Sequence, residues 1–416
     1  MLAWLVLTSV TVDAQTSPAG QTAVALRVYL DCPSANCFEE YLRDEIEFVN
    51  FVRLPEDADI HLLVSYTVDT GGGGTQIVLR FIGVGRFDGV NRELKAISLA
   101  GDTESTRRDI MLRTAVVGLL GYLARDGLPP DVEVEVRAQR PEDQTATGAQ
   151  DDPWHAWVFS IRGSAEIDAE ESSRDRTWAL NATADRTTEA WKISFGASWE
   201  QQTESFDLDE DEVFNATRRE RQGEWFVARS AGPHWSFGFE GKAESSTFGN
   251  TSFSTSAMPA VEYSVFPYEE YATRAFRLVY SVGIVHATYN EITLFGKLEE
   301  THPQHKVGIA FLEIEPWGAL WSGFEWSQYL HDASNYRLEV GVDLSLRITR
   351  GLSVDINASA SRIRDQLSLP LRDATPEEVL LRLRQLESGF EVGLAFSLTY
   401  RFGSLFNNVV NPRFLR

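Results

Sequence analysis

Beyond residue 154 the chain alternates apolar and polar side chains with a period of two and keeps doing so almost to its end. Between 391 and 402, Val392, Leu394, Phe396, Leu398, Tyr400 and Phe402 interleave with Glu391, Gly393, Ala395, Ser397, Thr399 and Arg401. Between 337 and 348, Leu338, Val340, Val342, Leu344, Leu346 and Ile348 interleave with Arg337, Glu339, Gly341, Asp343, Ser345 and Arg347. Trp191, Ile193, Phe195, Ala197 and Trp199 repeat the scheme. Successive side chains of a strand point to opposite faces, so each segment is predicted as a strand with one apolar, aromatic face and one small or charged face.

Twelve such strands are predicted, at 154–168, 176–187, 189–206, 213–231, 234–247, 252–265, 272–287, 304–315, 317–330, 335–348, 351–364 and 388–402. At about ten residues or more, each is long enough to cross a bilayer at a tilt. Short connections (187–188, 231–233, 266–271, 315–318 and 350–351) alternate with polar ones at 169–175, 207–212, 248–251, 288–303, 331–334 and 365–387. Tight turns at one end and longer loops at the other are the pattern of an up-and-down transmembrane barrel, and an even strand count returns both chain ends to the same side. All but Trp4 of the eleven tryptophans lie after residue 150, many near predicted strand ends, where an interfacial girdle places them. The last strand ends Leu398-Thr399-Tyr400-Arg401-Phe402, which resembles the aromatic-terminated assembly signal of bacterial outer-membrane proteins; it departs from that signal in being followed by Gly403–Arg416.

Residues 22–124 follow other rules and read as a small α+β domain. Strands are predicted at 23–30, 60–68, 76–82 and 93–99. One helix is expected from an Asn36 cap to Glu47, burying Phe38, Tyr41, Leu42 and Ile46. A second runs from about Thr103 to Leu123, with Ile110, Leu112, Val116, Leu119, Leu120 and Leu123 as its apolar stripe. This order, with Asp-Ala-Asp-Ile-His at 57–61 entering a strand and 107–123 closing the unit, resembles the amino-terminal domain of TolB. The resemblance spans the first quarter of the chain and implies a periplasmic module that docks to protein partners. Residues 125–153, with Pro129, Pro130 and Pro141 among acids and polar side chains, have linker composition.

Composition narrows the functions. The 416 residues carry a formal charge of −23, which argues against nucleic acid as a partner. No apolar run is long enough for a membrane helix. Met1–Ala14 reads as a signal peptide lacking its basic front segment, with Val12 and Ala14 at the positions a signal peptidase inspects. In an exported protein the only two cysteines, Cys32 and Cys37, are expected to form a structural disulfide. The Gly-Val-Gly-Arg-Phe-Asp-Gly run at 83–89 lacks the spacing and lysine of a nucleotide loop and reads as a turn. His286, His305, Ser322 and Ser327 form no recognisable catalytic string, so no enzyme activity, metal or cofactor is expected.

The fold class expected is therefore a periplasmic α+β domain followed by an all-β antiparallel outer-membrane barrel at 154–402, with 403–416 as a periplasmic tail. Arg337, Glu339, Asp343, Arg347, Asp355, Glu391 and Arg401 are expected to face the lumen, with Arg362 beside them, and Leu344, Leu394, Phe396 and Tyr400 to face lipid. Thr375, Pro376 and Glu378 supply helix-start chemistry for a lid helix at 376–387 with Val379, Leu380, Leu383 and Leu386 as its apolar stripe. The expected partners are outer-membrane lipid, the barrel assembly machinery and a periplasmic protein. Two functions fit: a narrow channel or transporter for small solutes, and a non-conducting anchor that recruits envelope proteins.

Overall fold

The computed structural model describes residues 26–33, 37–70, 74–99, 102–126, 153–171, 173–209, 212–372 and 387–404. The first unit comprises β1 (Leu26–Asp31), α1 (Glu39–Glu45), β2 (Val49–Phe51), β3 (Ile60–Thr70), β4 (Gly74–Gly83), β5 (Asn91–Ser98) and α2 (Glu104–Asp126). Its sheet has the order β2-β1-β3-β4-β5, with β1 parallel to both neighbours and the remaining pairs antiparallel. The sequence pattern does not anticipate β2, whose three residues are too few to set a period. Cys32 and Cys37 form a disulfide between β1 and α1, with their Cα atoms 6.1 Å apart. The helix after it starts later than expected, behind a left-handed Phe38, and the expected cap Asn36 lies outside the described residues.

Leu26, Val28 and Leu30 of β1, Ile60, Leu62 and Val64 of β3, and Leu79 and Phe81 of β4 are buried in one core with the helices. Leu119 and Leu123 of the expected α2 stripe are buried, but the rest of the stripe is turned toward Met111, Ala115 and Tyr122, and Ile110, Leu112, Val116 and Leu120 are only partly buried. Small residues set this rotation. A Cβ on Gly118 would sit 1.9 Å from the Phe81 ring, so the helix comes this close to β4 only through glycine. Tyr122 then reaches past it to donate to the carbonyls of Phe81 and Val90 at 3.0 and 2.7 Å. The turn predicted at 83–89 joins β4 to β5 through a single 3-10 turn at Gly85–Phe87.

The second unit is one antiparallel meander of twelve strands: β6 (Trp157–Ala169), β7 (Ser173–Thr187), β8 (Trp191–Asp209), β9 (Glu212–Ser230), β10 (Trp235–Ser246), β11 (Thr251–Ser264), β12 (Arg274–Tyr289), β13 (Glu299–Glu315), β14 (Gly318–Tyr329), β15 (Tyr336–Thr349), β16 (Leu352–Ile363) and β17 (Phe390–Tyr400). Count and order agree with the pattern of alternation. Closure does not appear: β6 and β17 are not hydrogen-bonded to each other, so the sheet is open along that seam. Every residue of β17 but Thr399 is exposed.

Connection lengths alternate less strictly than expected. β6 and β8 run on to Ala169 and Asp209, reducing the polar segments near 169–175 and 207–212 to tight hairpins. The connection from β11 to β12, expected to be short, carries a 3-10 turn at Tyr268–Glu270. The register keeps apolar and polar side chains on separate faces. Leu344 pairs with Leu320 and Ile356, and Ile356 with Phe396, on the apolar side, while Asp343 pairs with Trp321 and Asn357 on the polar side. Trp321 thus departs from an interfacial girdle; its ring lies on the polar face where Gly323 and Gly341 leave space, a Cβ on either falling 3.0 or 3.1 Å from it. Arg362 also departs, since it pairs with Leu338 and Phe390 on the apolar side and caps the Gly389 carbonyl near the strand end.

Gly118→Val should overpack α2 against Phe81, costing about 1–3 kcal/mol. Hydrogen exchange is the measurement: α2 amides should lose that much protection, and unchanged protection would refute the close approach.

Candidate functional site

Among the described residues, no helix covers the face of the first sheet that points away from α1 and α2. Even so, His61, Leu63, Ser65 and Val78 on that face are each no more than 2% exposed. The cover comes from the short-turn end of the twelve-stranded sheet. Arg80 of β4 donates to the Ile314 carbonyl at 2.9 Å and to both carboxylate oxygens of Glu315, the closer at 3.1 Å. Arg350, in the turn between β15 and β16, binds Asp57 at 2.7 Å, and Arg53 donates to the Ser404 carbonyl at 3.1 Å.

At the centre of this joint lies Asp31, the last residue of β1 and 4% exposed. His61 Nε2 lies 2.7 Å from Asp31 Oδ2, and an ionised carboxylate only accepts, so Nε2 carries the proton. Arg347 of β15 donates to the other oxygen of Asp31 and, at 2.6 Å, to the Pro316 carbonyl. The Arg347 guanidinium also stands 5.4 Å from the ring centre of Tyr29. Burial pushes the Asp31 carboxyl up, but hydrogen bonds from His61 and Arg347 and the Arg347 charge outweigh it and hold its pKa below the ordinary 3.8.

The residues expected to face a lumen fall into several separate arrangements. Arg347 and Asp31 belong to the joint. Arg337 binds Asp365 at 3.1 Å and Glu339 at 3.3 Å at the opposite end of the sheet. Asp355 accepts from Ser345 at 2.7 Å and Ser397 at 3.2 Å, and Asp343 accepts from Asn357. Glu391 lines a cavity of about 600 Å³ whose walls come from β11 through β17, so the polar face is concave there. Arg401 follows β17 on the polar side and its amide donates to the Gly351 carbonyl. Of the residues expected to face lipid, Leu394, Phe396 and Tyr400 are exposed by 74, 64 and 62% on the apolar face, with Leu344 in the same row.

The far end of the concave face is also covered. Residues 373–386, which hold the expected lid helix with Val379, Leu380, Leu383 and Leu386, lie outside the described residues. Just before them, the segment around Leu367–Leu371 folds over the connection between β12 and β13. Leu294 donates to the Leu369 carbonyl and Leu371 to that of Ile292, both at 2.8 Å. Asn250 locks the crossing, donating to the carbonyls of Ser368 at 2.8 Å and Glu291 at 3.1 Å while accepting from the Glu291 amide. Asn250, Thr293, Leu367 and Leu369 are all buried in this clasp. Ser368 lines a further cavity of about 450 Å³ with Asn181, Glu200, Glu220, Lys242 and Glu244.

The concave face is therefore a row of polar chambers with the amino-terminal domain at one end and a loop clasp at the other. Its lining side chains are hydrogen-bonding and charged groups of both signs. His286 and His305 sit instead on the apolar side, the latter packed against Trp326 at 4.9 Å. Among the described residues no group of three or more His, Cys, Asp or Glu side chains is placed to hold a metal. Sequence reading missed Asp31, His61, Arg80, Asp57 and Asn250. A signal existed for two of them: Arg80 interrupts the apolar run of β4, and Asp31 ends an apolar strand, yet both are held by another part of the chain.

The joint should be acid-sensitive. Because the folded pKa of Asp31 is depressed, its contribution is complete above 3.8 and is lost as pH falls through the lower folded value. Asp31→Asn should loosen the joint at neutral pH, since stripping a partner from a buried ion pair costs about 3–5 kcal/mol. Faster proteolytic separation of the two units is the readout; equal rates for variant and parent would remove Asp31 from the joint. No family model matches the chain and no curated protein matches it, so these contacts are what a functional assignment has to stand on.

Proposed function

We propose that the chain is an outer-membrane β-barrel that forms a narrow, gated passage for small polar solutes, with its amino-terminal domain seated in the periplasmic mouth. The observation that carries this reading is the concave polar face: it encloses chambers of several hundred Å³ while the opposite face of the same strands is apolar and exposed. In water so large an apolar face would need cover, and hydrocarbon supplies it. Closure requires β6 to pair with β17. Twelve strands give those two opposite directions, so antiparallel pairing is open to them, and unpaired backbone groups in hydrocarbon are too costly to persist. The signal-like Met1–Ala14, the linker and the tail at 403–416 fit export, with the amino-terminal domain and tail on the periplasmic side.

A second reading is a non-conducting anchor whose TolB-like domain recruits envelope proteins. The ion-paired joint favours it, because Asp31, Asp57 and Arg80 hold that domain against the short-turn end of the sheet. Planar-bilayer recording separates the two. A passage should conduct, and Asp31→Asn should raise the open probability; a silent wild type and a silent variant, both folded, would leave the anchor.

The barrel itself predicts heat-modifiable mobility on gels and a strong difference between faces. Arginine at Leu344, Leu394 or Phe396 should cost roughly 2–4 kcal/mol in a bilayer, whereas polar replacement of Ser345 or Ser397 should cost far less. Equal losses on both faces, measured by denaturant titration in lipid, would contradict the membrane assignment.

A further inference from the structure

Two chambers of the concave face meet beneath the amino-terminal domain. One, of about 720 Å³, is bounded by Gln76 and Lys95 of the first sheet and by polar-face residues of β8 through β12. The other is the 600 Å³ cavity that continues toward β17. Glu262, Arg277 and Val279 line both, so Arg277 stands at the junction.

Arg277 differs from the ion-paired arginines of this face. Arg218, Arg337 and Arg347 each hold a carboxylate. The guanidinium of Arg277 instead stands 4.8 Å from the ring centre of Tyr271, and its Nε is buried with no hydrogen-bond partner. Stacking occupies one face of the planar group and leaves its in-plane fork of donors available. A buried donor without an acceptor is unfavourable, and a bound carboxylate would relieve it in the two-point geometry that a guanidinium matches best.

The surroundings set the rest of the ligand. Glu240 and Glu262 line the same chamber, and neither is ion-paired among the described residues. The Tyr268 hydroxyl, 3.0 Å from Ser236, stays protonated, burial having pushed its pKa up to about 12. A simple anion would meet the two carboxylates, and a simple cation would meet Arg277, Lys95 and Lys192. A molecule carrying both charges meets neither penalty. Phe226, Ala260 and Val279 add an apolar wall, and the volume lies in the usual range for small-molecule sites.

We propose that this junction binds a small zwitterion of the amino-carboxylate type. Its carboxylate lies on the Arg277 fork, its ammonium between Glu240 and Glu262, and its apolar substituent against Phe226 and Val279. The site rests on the proposed reading of the polar face as a lumen, and needs access from one end only, not conduction through it.

Calorimetry on the full chain in detergent tests it with L-phenylalanine and its two half-molecules, 3-phenylpropanoate and 2-phenylethylammonium. Phenylalanine should bind saturably and at least tenfold tighter than either half. Arg277→Gln, checked for heat-modifiable mobility, should weaken phenylalanine at least tenfold, and Glu262→Gln should shift preference toward 3-phenylpropanoate. Phenylalanine binding no better than the halves, or unweakened in folded Arg277→Gln, overturns the proposal; the ligand series on the parent protein decides even if the variant does not fold. Bilayer recording distinguishes this from failure of the passage. Conductance that phenylalanine does not block counts against the site alone, while phenylalanine binding without conductance supports the site and counts against the passage.

Discussion

A carboxylate buried between two folding units constrains everything around it. Asp31 is charged and nearly inaccessible, and in such a place a lone charge is untenable. One partner, His61, comes from its own sheet; the other, Arg347, comes from a strand more than three hundred positions away. Among the described residues the amino-terminal sheet has helices on one face only, so the other needs a cover, and any apolar surface would serve for area. The ion pair removes that freedom, because only a placement that brings Arg347 to Asp31 satisfies the buried charge. Arg80 with Glu315 and Arg350 with Asp57 flank the centre and fix rotation about it. The more exposed of these, Arg350 with Asp57, contributes orientation more than energy.

Much of this architecture was legible in the alternation of side chains. Twelve strands, their order and their two faces follow from period two, because a one-residue slip would carry Leu394 and Phe396 to the polar side. Trp321 escaped the pattern because a large aromatic reads as apolar wherever it occurs, and only Gly323 along its own strand and Gly341 on the next reveal the space it fills. The rotation of α2 escaped for a related reason: Met111 and Ala115 were outranked by more hydrophobic Leu112 and Val116, while Gly118 decided which side could approach β4. The joint was illegible because it is built from residues scattered over both units. Asp31, Asp57 and Arg80 look like ordinary strand-end or turn charges until the fold places Arg347, Arg350 and Glu315 beside them.

The polar face is neither filled nor empty. Ion pairs and hydroxyl-to-carboxylate bonds knot it at Arg337 with Asp365, at Asp355 with Ser345 and Ser397, and at Lys242 with Glu244. Between the knots, small residues such as Gly308, Gly341 and Ser359 leave room, and the chambers lie there. In the proposed passage a polar solute would meet charged groups of both signs in turn, without a continuous wide bore. Mixed charge would make the proposed passage selective for how charges are arranged on a molecule more than for their sum.

The clasp at the far end also bears on how the chain acquires its structure. Asn250 reaches a carbonyl 118 positions later, at Ser368. That bond brings together segments whose intervening strands, β11 to β16, are joined only through successive hairpins, so closing it while those hairpins are unformed would mean paying the entropy of a very long loop for a few hydrogen bonds. Local hairpins are far cheaper to form first, each needing only its neighbour. Completion of the clasp is therefore a late event, and a nascent sheet remains open at that end until nearly all of its strands are in place.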